Sequence, residues 1–509
     1  MNLTMLLEMA AEAGPDRVAV GPRDGGITYR QLLDRARALA GELIAPDQAA
    51  APENVALLDL NSPAVPMLVF GTAAAGVPIA PLNYRLTDDQ VNDAVRRLTP
   101  VMVVAGTDAA HRVPPGDGVV VRRTDDVVRS AAAGAAGAEL PFVDPDDPAV
   151  LLFTSGTTGA PKAAVLRHRH LTSYIVGTVE FFNADEDEAI LVSVPNYHIA
   201  GISSVLSSVY AGRRMVQLPA FSPEGWVELA AAERITQAMV VPTMLGRILD
   251  VLEERGTELP ALRTLSYGGG RMPVQTVERA MRLLPHVDFV NAYGLTETSS
   301  TIAVLGPEDH RAAFGSDDPA VRARLGSVGR PLPSVEVEIR DRTGAPVPPG
   351  QFGEVYVRGE QVAGEYTSHS ALDAEGWYPT RDRGRLDDAG YLFLDGRADD
   401  VIVRGGENIS PGEIEDVLVE HPAVAEAAAV GVADREWGER VEAVVVAAPG
   451  AQVVESELQD WVRQRLRSTR VPARIHQWDE LPYNETGKLL RRVLRDELNA
   501  RTPTEQVAG

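Results

Sequence analysis

Apolar runs alternate with amphipathic segments along roughly the first 130 residues, and this alternation constrains the fold more than any other feature. Residues 55–60 form a short, largely apolar run of the kind found in a buried strand. Residues 27–43 and 65–75 carry leucine, valine and alanine at helical spacing, and a further short strand begins at Ile79. Strands and helices that alternate in this way pack as a largely parallel sheet covered by helices. We therefore predict a layered α/β fold.

The middle of the chain continues this alternation and then changes. An alanine- and glycine-rich stretch, residues 131–138, predicts a loop without chemistry of its own. Beyond about Val335 short β runs bounded by turn residues predict a separate β region, at 335–340, 353–358 and 391–394. Between these two regions, buried strands are predicted at 149–153, 189–194, 238–241 and 264–267.

A second change of pattern follows Gly396 and predicts a small α+β unit. An amphipathic pattern over residues 411–420 precedes two β runs, 424–432 and 441–447. A unit of about 110 residues has the size of an independent domain. We place the boundary near Asp399, which predicts a large domain over residues 1–396, a hinge over 397–400 and a small domain over 401–509.

Charge and composition exclude several classes of protein. The net charge is −24 and no long basic run is present, which opposes a nucleic-acid or anionic-membrane surface. No apolar stretch reaches the ~20 residues of a membrane span. The first 16 residues lack a basic segment and Glu8 interrupts their apolar positions, so we expect no signal peptide and a cytoplasmic location. The absence of cysteine excludes disulfides, thiolate metal sites and a cysteine nucleophile.

Lysine occurs only at Lys162 and Lys488, although the chain has 48 basic residues. Because arginine and lysine serve equally on a solvated surface, a retained lysine indicates a site that needs a compact ammonium group. The alternative is drift in an arginine-rich sequence, and the position of each lysine decides between the two.

The first lysine ends a loop of glycine and hydroxyl residues that directly follows a predicted strand. Backbone N–H groups of such a loop can approach phosphate oxygens, and the lysine adds a mobile positive charge. The Walker A pattern is absent, because Pro161 and Ala163 stand where it needs a glycine and a Ser or Thr. A flexible polar turn is the alternative, and the rare lysine favours phosphate binding. The loop comprises Thr154, Ser155, Gly156, Thr157, Thr158, Gly159, Ala160, Pro161 and Lys162.

Two further stretches also follow predicted strands: residues 291–298 come after the apolar run 287–290, and residues 268–270 come after the predicted strand 264–267. Glu297 could hold Mg²⁺, which prefers carboxylate and phosphate oxygens, and Thr296 could bond a phosphate group. Taken alone, a carboxylate in a loop is more often simply solvated. Residues 268–270 are three glycines, which permit the close approach of a flat ligand or form a tight turn.

The last group of polar residues lies near the predicted domain boundary and at the end of the chain. The carboxylate of Asp382 can accept hydrogen bonds from both hydroxyls of a ribose, and Arg397 could donate to the same sugar. Each residue alone would more often form a surface ion pair. Lys488 lies on a turn just before a predicted helix and, taken alone, would be solvated.

Together, and in this order, these motifs resemble the adenylate-forming superfamily, which contains acyl-CoA synthetases, firefly luciferase and the adenylation domains of peptide synthetases. The resemblance extends from the N-terminal α/β region to Lys488 and uses five separate motifs. It implies a large N-terminal domain of two α/β subdomains plus a β-barrel, followed by a small mobile α+β C-terminal domain.

The resemblance also implies a role for each motif. The loop that ends at Lys162 would handle the ATP triphosphate and pyrophosphate, and Mg²⁺ would be held by Glu297 with Thr154. Thr296 would contact the α-phosphate, and Lys488 would bridge the substrate carboxylate and the α-phosphate. Asp399 would be the hinge residue. The adenine- and ribose-binding residues would be Gly268, Gly269, Gly270, Asn291, Ala292, Tyr293, Asp382 and Arg397.

An acyl pocket and a thiol tunnel are implied in the same way. His198 stands at the position of a gating aromatic residue, although without the resemblance it would be interpreted as a core histidine. Gly405 and Gly406 would line the tunnel for the pantetheine thiol in a second half-reaction. The mixture of aromatic and small side chains favours a medium, aromatic or cyclic carboxylate over a very long chain. The other residues predicted to line the pocket are Tyr197, Ser203, Ser204, Trp226, Met239, Arg271 and Gly294.

The sequence departs from the family pattern at three positions. Arg381 stands between the Thr and the Asp of the ribose motif, where the family usually has glycine, and Ala163 replaces a common glycine. Neither change removes a named catalytic group. Arg271 follows the three glycines, where many relatives have alanine or serine. We hypothesise that it tunes the substrate site or the second-step site, with a surface ion pair as the alternative.

The resemblance predicts an ATP-dependent carboxylate–CoA ligase that uses ATP, Mg²⁺ and coenzyme A. The same adenylation could instead lead to transfer of the acyl group to an amine, such as an amino acid, or to a carrier-protein phosphopantetheine. Retention of both lysines opposes a non-catalytic nucleotide-binding or scaffold protein. A redox enzyme is opposed by the lack of a G-x-G-x-x-G motif after a strand. We expect small-molecule partners only, no nucleic acid, no stable membrane insertion, and a monomer or a homodimer.

Overall fold

The computed structural model describes residues 1–45, 51–134, 139–154, 162–397, 400–405, 407–483 and 489–501. The helices are α1 (Leu3–Ala13), α2 (Tyr29–Leu43), α3 (Ala64–Ala75), α4 (Asp88–Leu98), α5 (Thr124–Ala133), α6 (His168–Thr178), α7 (Ile199–Ala211), α8 (Pro223–Ala232), α9 (Pro242–Arg255), α10 (Val274–Leu283), α11 (Pro307–Phe314), α12 (Pro319–Arg322), α13 (Pro411–Val419), α14 (Glu455–Arg465) and α15 (Arg491–Arg501).

The strands belong to four sheets, which the following paragraphs take in turn. They are β1 (Val18–Val20), β2 (Ile27–Thr28), β3 (Asn54–Leu58), β4 (Ile79–Pro81), β5 (Val101–Ala105), β6 (Val119–Arg123), β7 (Pro148–Thr154), β8 (Lys162–Arg167), β9 (Ala189–Val192), β10 (Arg214–Gln217), β11 (Gln237–Val240), β12 (Thr264–Gly268), β13 (Asp288–Leu295), β14 (Ser300–Leu305), β15 (Arg330–Pro331), β16 (Glu336–Arg340), β17 (Gly353–Arg358), β18 (Glu365–Tyr366), β19 (His369–Ser370), β20 (Tyr378–Leu386), β21 (Leu392–Arg397), β22 (Ile402–Arg404), β23 (Glu407–Ile409), β24 (Val424–Asp434), β25 (Gly438–Ala447) and β26 (Arg474–Trp478).

The first sheet has the strand order β19-β18-β8-β7-β4-β3-β5-β6. Strands β4, β3, β5 and β6 at one end of this order are parallel, and β7 and β8, which follow β4 on its other side, form an antiparallel pair. Every residue of β5 is buried. A strand covered on both faces needs a continuous apolar run, which is why residues 101–105 are Val, Met and Ala.

The second sheet has the order β15-β14-β13-β12-β11-β9-β10-β1-β2. Strands β10, β9, β11, β12 and β13 are parallel, so their carboxyl ends lie at one edge. In open parallel sheets ligands bind at that edge. The glycines after β12 and the turn after β13, which contains Glu297, both lie there.

Helices pack between these two sheets and form the largest core. Helix α3 is buried at every position, because its sequence is apolar on all sides. It lies in one apolar cluster with residues of α1, α2, α6 and α7. The two α/β layers therefore share a core. This agrees with the prediction of two α/β subdomains in the large domain.

The third sheet is antiparallel, with the order β16-β17-β20-β21, and it occupies the position where the resemblance implies a β-barrel. The fourth sheet has the order β23-β22-β25-β24, with β26 beside β25, and it belongs to the small C-terminal unit. That unit touches the large one where Ser410 Oγ donates to the backbone oxygen of Asp395 at 3.1 Å. The structure thus has the predicted α/β class with a small α+β unit at its end.

The sequence predictions fail at two boundaries. The loop predicted over residues 131–138 is wrong in its first part, since α5 continues to Ala133. Alanine is the best helix former, and Ala131 is buried against the core. Residues 291–295 belong to β13 itself and do not follow a strand. Across the described ranges, each helix is too short or too polar to cross a membrane.

Candidate active site

A carboxylate on β20 is held between two donors. Tyr293 Oη donates to Asp382 Oδ2 at 2.6 Å, and Arg397 Nη1 donates to Asp382 Oδ1 at 3.1 Å. Arg397 is the direct cross-strand partner of Asp382 in the β20–β21 ladder. Burial, and then the nearby Asp382 carboxylate, raise the pKa of Tyr293 well above its ordinary value, so the phenol remains a donor. The three residues predicted from separate motifs to contact adenosine therefore lie together.

Arg381, next to Asp382, has a left-handed backbone with φ of 62°. This is the position at which the family pattern usually has glycine. A non-glycine residue in this region costs of order 1 kcal/mol. Its side chain is largely exposed, with Nε 3.9 Å from Glu354 Oε1 on the neighbouring strand.

The second carboxylate, that of Glu297, lies in a 3₁₀ turn formed by residues Thr296–Thr298, directly after β13. Only 8% of the residue is exposed. Tyr366 Oη donates to Glu297 Oε1 at 2.7 Å, and Lys162 Nζ lies 5.6 Å from the centroid of the Tyr366 ring. Burial and the Glu297 carboxylate raise the pKa of Tyr366 to about 12. Tyr366 is therefore a hydrogen-bond donor at neutral pH.

The surroundings of Glu297 fit a magnesium ion of the kind that is shared with a nucleotide. Within the described ranges, no group of three or more His, Cys, Asp or Glu residues could hold a metal alone. Mg²⁺ is usually bound by one or two carboxylates together with substrate phosphates. One oxygen of Glu297 accepts from Tyr366, and a carboxylate has further lone pairs for a cation. The chemistry of this carboxylate therefore fits one part of a magnesium site, of which phosphate oxygens would provide the rest.

The two ends of the predicted phosphate loop are paired across the β7–β8 hairpin, where Thr154 faces Lys162. Thr154 Oγ1 donates to the backbone oxygen of Lys162 at 3.4 Å. The hairpin places both residues at the edge of the first sheet. The remaining predicted members of this loop lie outside the described residues: Ser155, Gly156, Thr157, Thr158, Gly159, Ala160 and Pro161.

The predicted adenine segments lie on adjacent strands. Gly268 pairs with Ala292 in the β12–β13 ladder, and a Cβ at Gly268 would lie 2.2 Å from the Ala292 backbone oxygen. The two strands can approach this closely only because residue 268 is glycine. Asn291 Nδ2 donates to the backbone oxygen of Ser327 at 3.1 Å. Gly269 and Gly270 continue from β12 toward the surface.

Aromatic rings surround the predicted gate of the acyl pocket. His198 precedes α7, and its ring lies 4.6 Å from that of Tyr197, which meets Tyr84 edge-on at 5.5 Å. Burial lowers the pKa of His198 to about 4, so the imidazole is neutral at physiological pH. Among the described residues, His198 Nε2 has no hydrogen-bond partner. The predicted gate position therefore holds a neutral, partly buried imidazole whose Nε2 atom could bond to a substrate.

Serine hydroxyls line the first turns of α7. Ser203 and Ser204 both donate to the backbone oxygen of Ala200, and Ser300 Oγ donates to Ser203 Oγ at 3.3 Å. Gly294 pairs with Thr301 across the β13–β14 ladder, next to this group. The structure therefore brings Ser203 and Ser204 of α7 near the strand that carries Gly294.

Two other predicted pocket residues differ in burial. Met239 is half-buried on β11, and its terminal methyl lies beside Gly268. Trp226 is fully buried in the core cluster with Leu245 and Val240. Trp226 therefore contributes to the core between α8 and α9, with no surface open to a substrate.

Arg271 points toward the small domain. Its Nη2 donates to Asp416 Oδ2 on α13, and its guanidinium lies against Gly412. The contact is an ion pair between the two domains. The predicted alternative for Arg271, an ion pair at the surface, thus describes its contacts better than a wall of the acyl pocket.

In the small domain, Gly405 follows β22 with φ of +58°. Its N–H donates to the backbone oxygen of Trp437 at 2.7 Å, and a Cβ at this position would lie 2.8 Å from Trp437 Cε3. Both the conformation and the contact require glycine. Asp399, Gly406 and Lys488, which the sequence prediction assigned to the hinge, the tunnel and the catalytic lysine, lie outside the described residues.

Sequence reasoning missed Tyr366 and Trp437. Tyr366 lies on a strand of two residues, where no periodicity can single it out. Trp437 is 45% exposed, which is unusual for so large an apolar residue, but exposure cannot be read from a sequence. The partner of Tyr366 is Glu297 and that of Trp437 is Gly405, and both partners are distant in the chain.

Comparisons with known families match both parts of the chain. The model of the AMP-binding enzyme family matches residues 7–367, and that of the AMP-binding enzyme C-terminal domain matches residues 413–488. The chain is similar to a fatty acid–[acyl-carrier-protein] ligase, ScoC, of Streptomyces coeruleorubidus, at 33% identity over 97% of this chain and 96% of the relative. It is 32% identical to a 2-succinylbenzoate–CoA ligase of Bacillus licheniformis, over 96% of this chain and 98% of that protein.

Solved structures give the same picture. The ATP-bound crystal structure of MatB from Rhodopseudomonas palustris has a TM-score of 0.87 at 27% identity, covering 98% of this chain and 99% of MatB. The apo structure of the same protein has a TM-score of 0.76, with the same identity and coverage. The o-succinylbenzoate CoA synthetase MenE of Bacillus subtilis, in complex with ATP and a magnesium ion, has a TM-score of 0.81 at 29% identity, covering 96% of this chain and 99% of MenE.

Proposed function

Because the chain belongs to the AMP-binding enzyme family in both its large and its small domain, we propose that it activates a carboxylic acid with ATP and transfers the acyl group to the thiol of coenzyme A. The first half-reaction forms an acyl adenylate and releases pyrophosphate. The second forms a thioester and releases AMP. The protein is a ligase of the acid–CoA, AMP-forming type.

The observation that carries this proposal is the position of Asp382. Its two oxygens accept from Tyr293 and Arg397, and Tyr293 lies on β13, four residues before Glu297. A carboxylate suited to ribose hydroxyls is therefore connected through one strand to a carboxylate suited to a metal–phosphate group. A nucleotide triphosphate presents both of these groups.

The chemistry follows from the charges. A free carboxylate is a poor acylating agent because its leaving group would be oxide, whereas AMP is a better leaving group. The first step brings two anions together, so cationic groups must offset their repulsion. Mg²⁺ held by Glu297 and Thr154, when bound, would neutralise phosphate charge. Lys162 and Lys488 would supply the ammonium groups, and one such interaction is worth ~10²–10³ in rate.

The small domain would serve both half-reactions. Lys488 would approach the α-phosphate in the first, and Gly405 and Gly406, which follow β22 in the chain, would line the thiol path in the second, with Asp399 as the hinge. The domain limits that we propose are the predicted ones, 1–396, 397–400 and 401–509. The assignment to the thiol path rests on the resemblance of the motif, because the left-handed backbone and the Trp437 ring already account for the glycine at residue 405.

The acyl substrate that we propose is a medium-sized aromatic or cyclic carboxylic acid. The rings of Tyr84, Tyr197 and His198 border the gate, and short serine side chains lie behind it. A neutral His198 places no fixed charge at this position. The 2-succinylbenzoate–CoA ligase among the relatives, whose substrate name denotes an aromatic ring, supports the same size class.

Acyl transfer to a carrier protein is the second candidate. The relative from Streptomyces coeruleorubidus is a fatty acid–[acyl-carrier-protein] ligase and covers 97% of this chain. The same adenylation and the same thiol path would serve a phosphopantetheine arm. Transfer to an amine, such as an amino acid, is the third possibility that the sequence leaves open.

The test is a product assay with ATP, Mg²⁺, a panel of carboxylic acids and one acceptor at a time. The acceptors are coenzyme A, a phosphopantetheinylated carrier protein and a mixture of amino acids, with detection of products by mass. We expect acyl-CoA from aromatic or cyclic acids. Pyrophosphate release that never exceeds a control without protein would contradict catalysis. Lys488→Arg should impair adenylation severely and spare the conversion of supplied acyl adenylate.

A further inference from the structure

Tyr366 lies where the two large sheets meet. Strand β18 joins the first sheet through the pair Tyr366–Ala164, two residues after Lys162 on β8. Glu297 follows β13 of the second sheet. Tyr366 contacts groups from both, because its hydroxyl bonds to Glu297 and its ring faces Lys162. This side chain is therefore a physical connection between the predicted metal ligand and the predicted phosphate-loop lysine.

The segment that ends at Tyr366 holds Glu297 from two directions. The backbone N–H groups of Ala363 and Gly364 both donate to the Glu297 backbone oxygen, each at 2.9 Å. The Tyr366 hydroxyl donates to the carboxylate at 2.7 Å. The carboxylate of a residue that is only 8% exposed is costly to leave without a donor, so these bonds fix its position and its orientation.

The Tyr366 ring is itself fixed. It stacks on His369 with a centroid distance of 5.1 Å and an interplanar angle of 27°, and its hydroxyl lies 3.5 Å from that of Tyr378. A cation within about 6 Å of a ring centroid is attracted by the ring. The 5.6 Å distance from Lys162 Nζ is within this range.

We propose that Tyr366 is a positioning residue of the nucleotide site: its hydroxyl orients Glu297 toward the Mg²⁺–ATP complex, and its ring guides the ammonium of Lys162 to the same complex. This inference rests on the function proposed above. Neither contact makes Tyr366 a catalytic residue, since it acts through Glu297 and Lys162.

A phenol suits this position better than a cation. Asp382, the ribose carboxylate, is paired with Arg397, which offsets its charge. Glu297 must keep its negative charge to attract a divalent cation, and an adjacent arginine would oppose that attraction. A tyrosine hydroxyl orients the carboxylate and leaves its charge in place.

The experiment measures ATP binding by calorimetry with and without Mg²⁺, so that no acid substrate is needed. Tyr366→Phe removes the hydroxyl and keeps the ring. A hydrogen bond to a charged group gives an expected loss of about tenfold in the affinity gain that Mg²⁺ provides. Affinity without Mg²⁺ should stay within twofold. The matched control is Tyr391→Phe, whose hydroxyl donates to Asp309 at 2.6 Å away from this site, and which should leave the Mg²⁺ effect unchanged.

Two further variants separate the roles and guard against misfolding. Tyr366→Gln keeps a donor but loses the ring, so it should retain more of the Mg²⁺ effect than Tyr366→Phe and bind metal-free ATP more weakly. In a Glu297→Gln background, Tyr366→Phe should lower the gain in ATP affinity from Mg²⁺ by less than twofold, because the hydroxyl acts through the carboxylate.

Three results would overturn the inference. The first is an equal loss from Tyr366→Phe in both backgrounds, the second an equal loss with and without Mg²⁺, and the third a wild-type ATP affinity that does not respond to Mg²⁺. A chain that shows the expected binding pattern and converts no acid contradicts the proposed reaction and leaves the role of Tyr366 supported.

Discussion

Arg271 of the large domain donates a hydrogen bond to the carboxylate of Asp416 in the small domain. The guanidinium also covers Gly412, where a Cβ would lie within 1.8 Å of Nη1. Both charged side chains are about half exposed, at 52% and 56%, and pairs of this kind contribute about 0.2–1 kcal/mol. That free energy alters an equilibrium between two domain arrangements by up to about fivefold.

We expect Arg271→Asp to lower the rate of adenylate formation about two- to fivefold, since two carboxylates would then face each other across the domains. The whole chain has a higher TM-score to ATP-bound MatB, 0.87, than to apo MatB, 0.76, so we expect loss of the Arg271–Asp416 pair to affect the step that uses ATP. Pyrophosphate exchange measures this step. Conversion of supplied acyl adenylate should not slow.

The charge swap Arg271→Asp with Asp416→Arg should restore the exchange rate. Arg279→Asp is the control, because Arg279 pairs with Glu253 inside the large domain. Failure of the double variant to recover, or an equal effect of the control, would show that the interdomain pair does not set the rate.

Gly405→Ala should slow the second half-reaction about tenfold and leave pyrophosphate exchange unchanged. The left-handed backbone at this residue costs an alanine about 1 kcal/mol, and the new methyl meets the Trp437 ring. Thioester formation from supplied acyl adenylate measures the effect. Gly450→Ala carries the same backbone penalty, with φ of +75° and no atom within 4 Å of its Cβ, and should leave both rates unchanged. An equal loss in both half-reactions of Gly405→Ala would argue against a role in the thiol path.

Glu415 and Arg491 form a buried ion pair that joins α13 to α15 in the small domain. Arg491 Nη2 lies 2.6 Å from both Glu415 oxygens, and the Ala429 N–H donates to the same carboxylate. Glu415→Ala leaves the arginine buried and unpaired, so we expect a loss of about 3–5 kcal/mol in the free energy of unfolding of this domain. Urea unfolding followed by the fluorescence of Trp437, Trp461 and Trp478 reports on it.

The double variant Glu415→Leu with Arg491→Met should lose less free energy of unfolding than Glu415→Ala, because no unpaired charge remains in the small domain. Glu420→Ala removes an exposed partner of Arg465, 3.9 Å away, and should cost under about 0.5 kcal/mol. If Glu415→Ala were as stable as Glu420→Ala, water would have to solvate the unpaired Arg491 guanidinium, and the pair would not contribute as a buried one.

Acid should destabilise the large domain between about pH 6.5 and pH 4. Burial lowers the pKa of His168, His170 and His198 to about 4, whereas the unfolded chain keeps values near 6.5. In this window the unfolded chain binds more protons, so stability is complete above pH 6.5 and falls as the pH decreases. Each histidine contributes up to about 1.4 kcal/mol per pH unit.

Urea unfolding at pH 7, 6 and 5 measures this slope. His170→Gln keeps an acceptor for the Arg167 N–H. It should lower the slope of the unfolding free energy against pH by up to the contribution of one proton, about 1.4 kcal/mol per pH unit. An unchanged slope would mean that His170 is solvated in the folded chain.

Local patterns predicted most of the fold. Apolar runs predicted β3, β9, β11 and β12 to within two residues of their bounds. A parallel strand that is buried on both faces consists of consecutive apolar residues, which can be recognised in a sequence. The end of α5 was misplaced, since alanines next to a glycine fit a helix and a loop equally well.

The site was predicted only where a motif is contiguous. Asp382, Arg397 and Tyr293 were identified from motifs and lie together. Tyr366 was not, because its bond to Glu297 joins residues 69 positions apart. Arg271 and Asp416 are separated by 145 positions, so the sequence around either residue does not indicate that the two form an ion pair. Contacts of this kind depend on how sheets and domains pack, which no local pattern contains.

The position of Tyr366 between the two sheets has a thermodynamic consequence. A nucleotide that engages Lys162 on one sheet and Glu297 on the other binds only while the layers are docked, so it resists their separation. At 100 times its dissociation constant such a ligand adds about 2.7 kcal/mol to the docked state. ATP would then stabilise the packing of the two sheets as well as serve as a reactant, and its removal would lower the free energy needed to separate them.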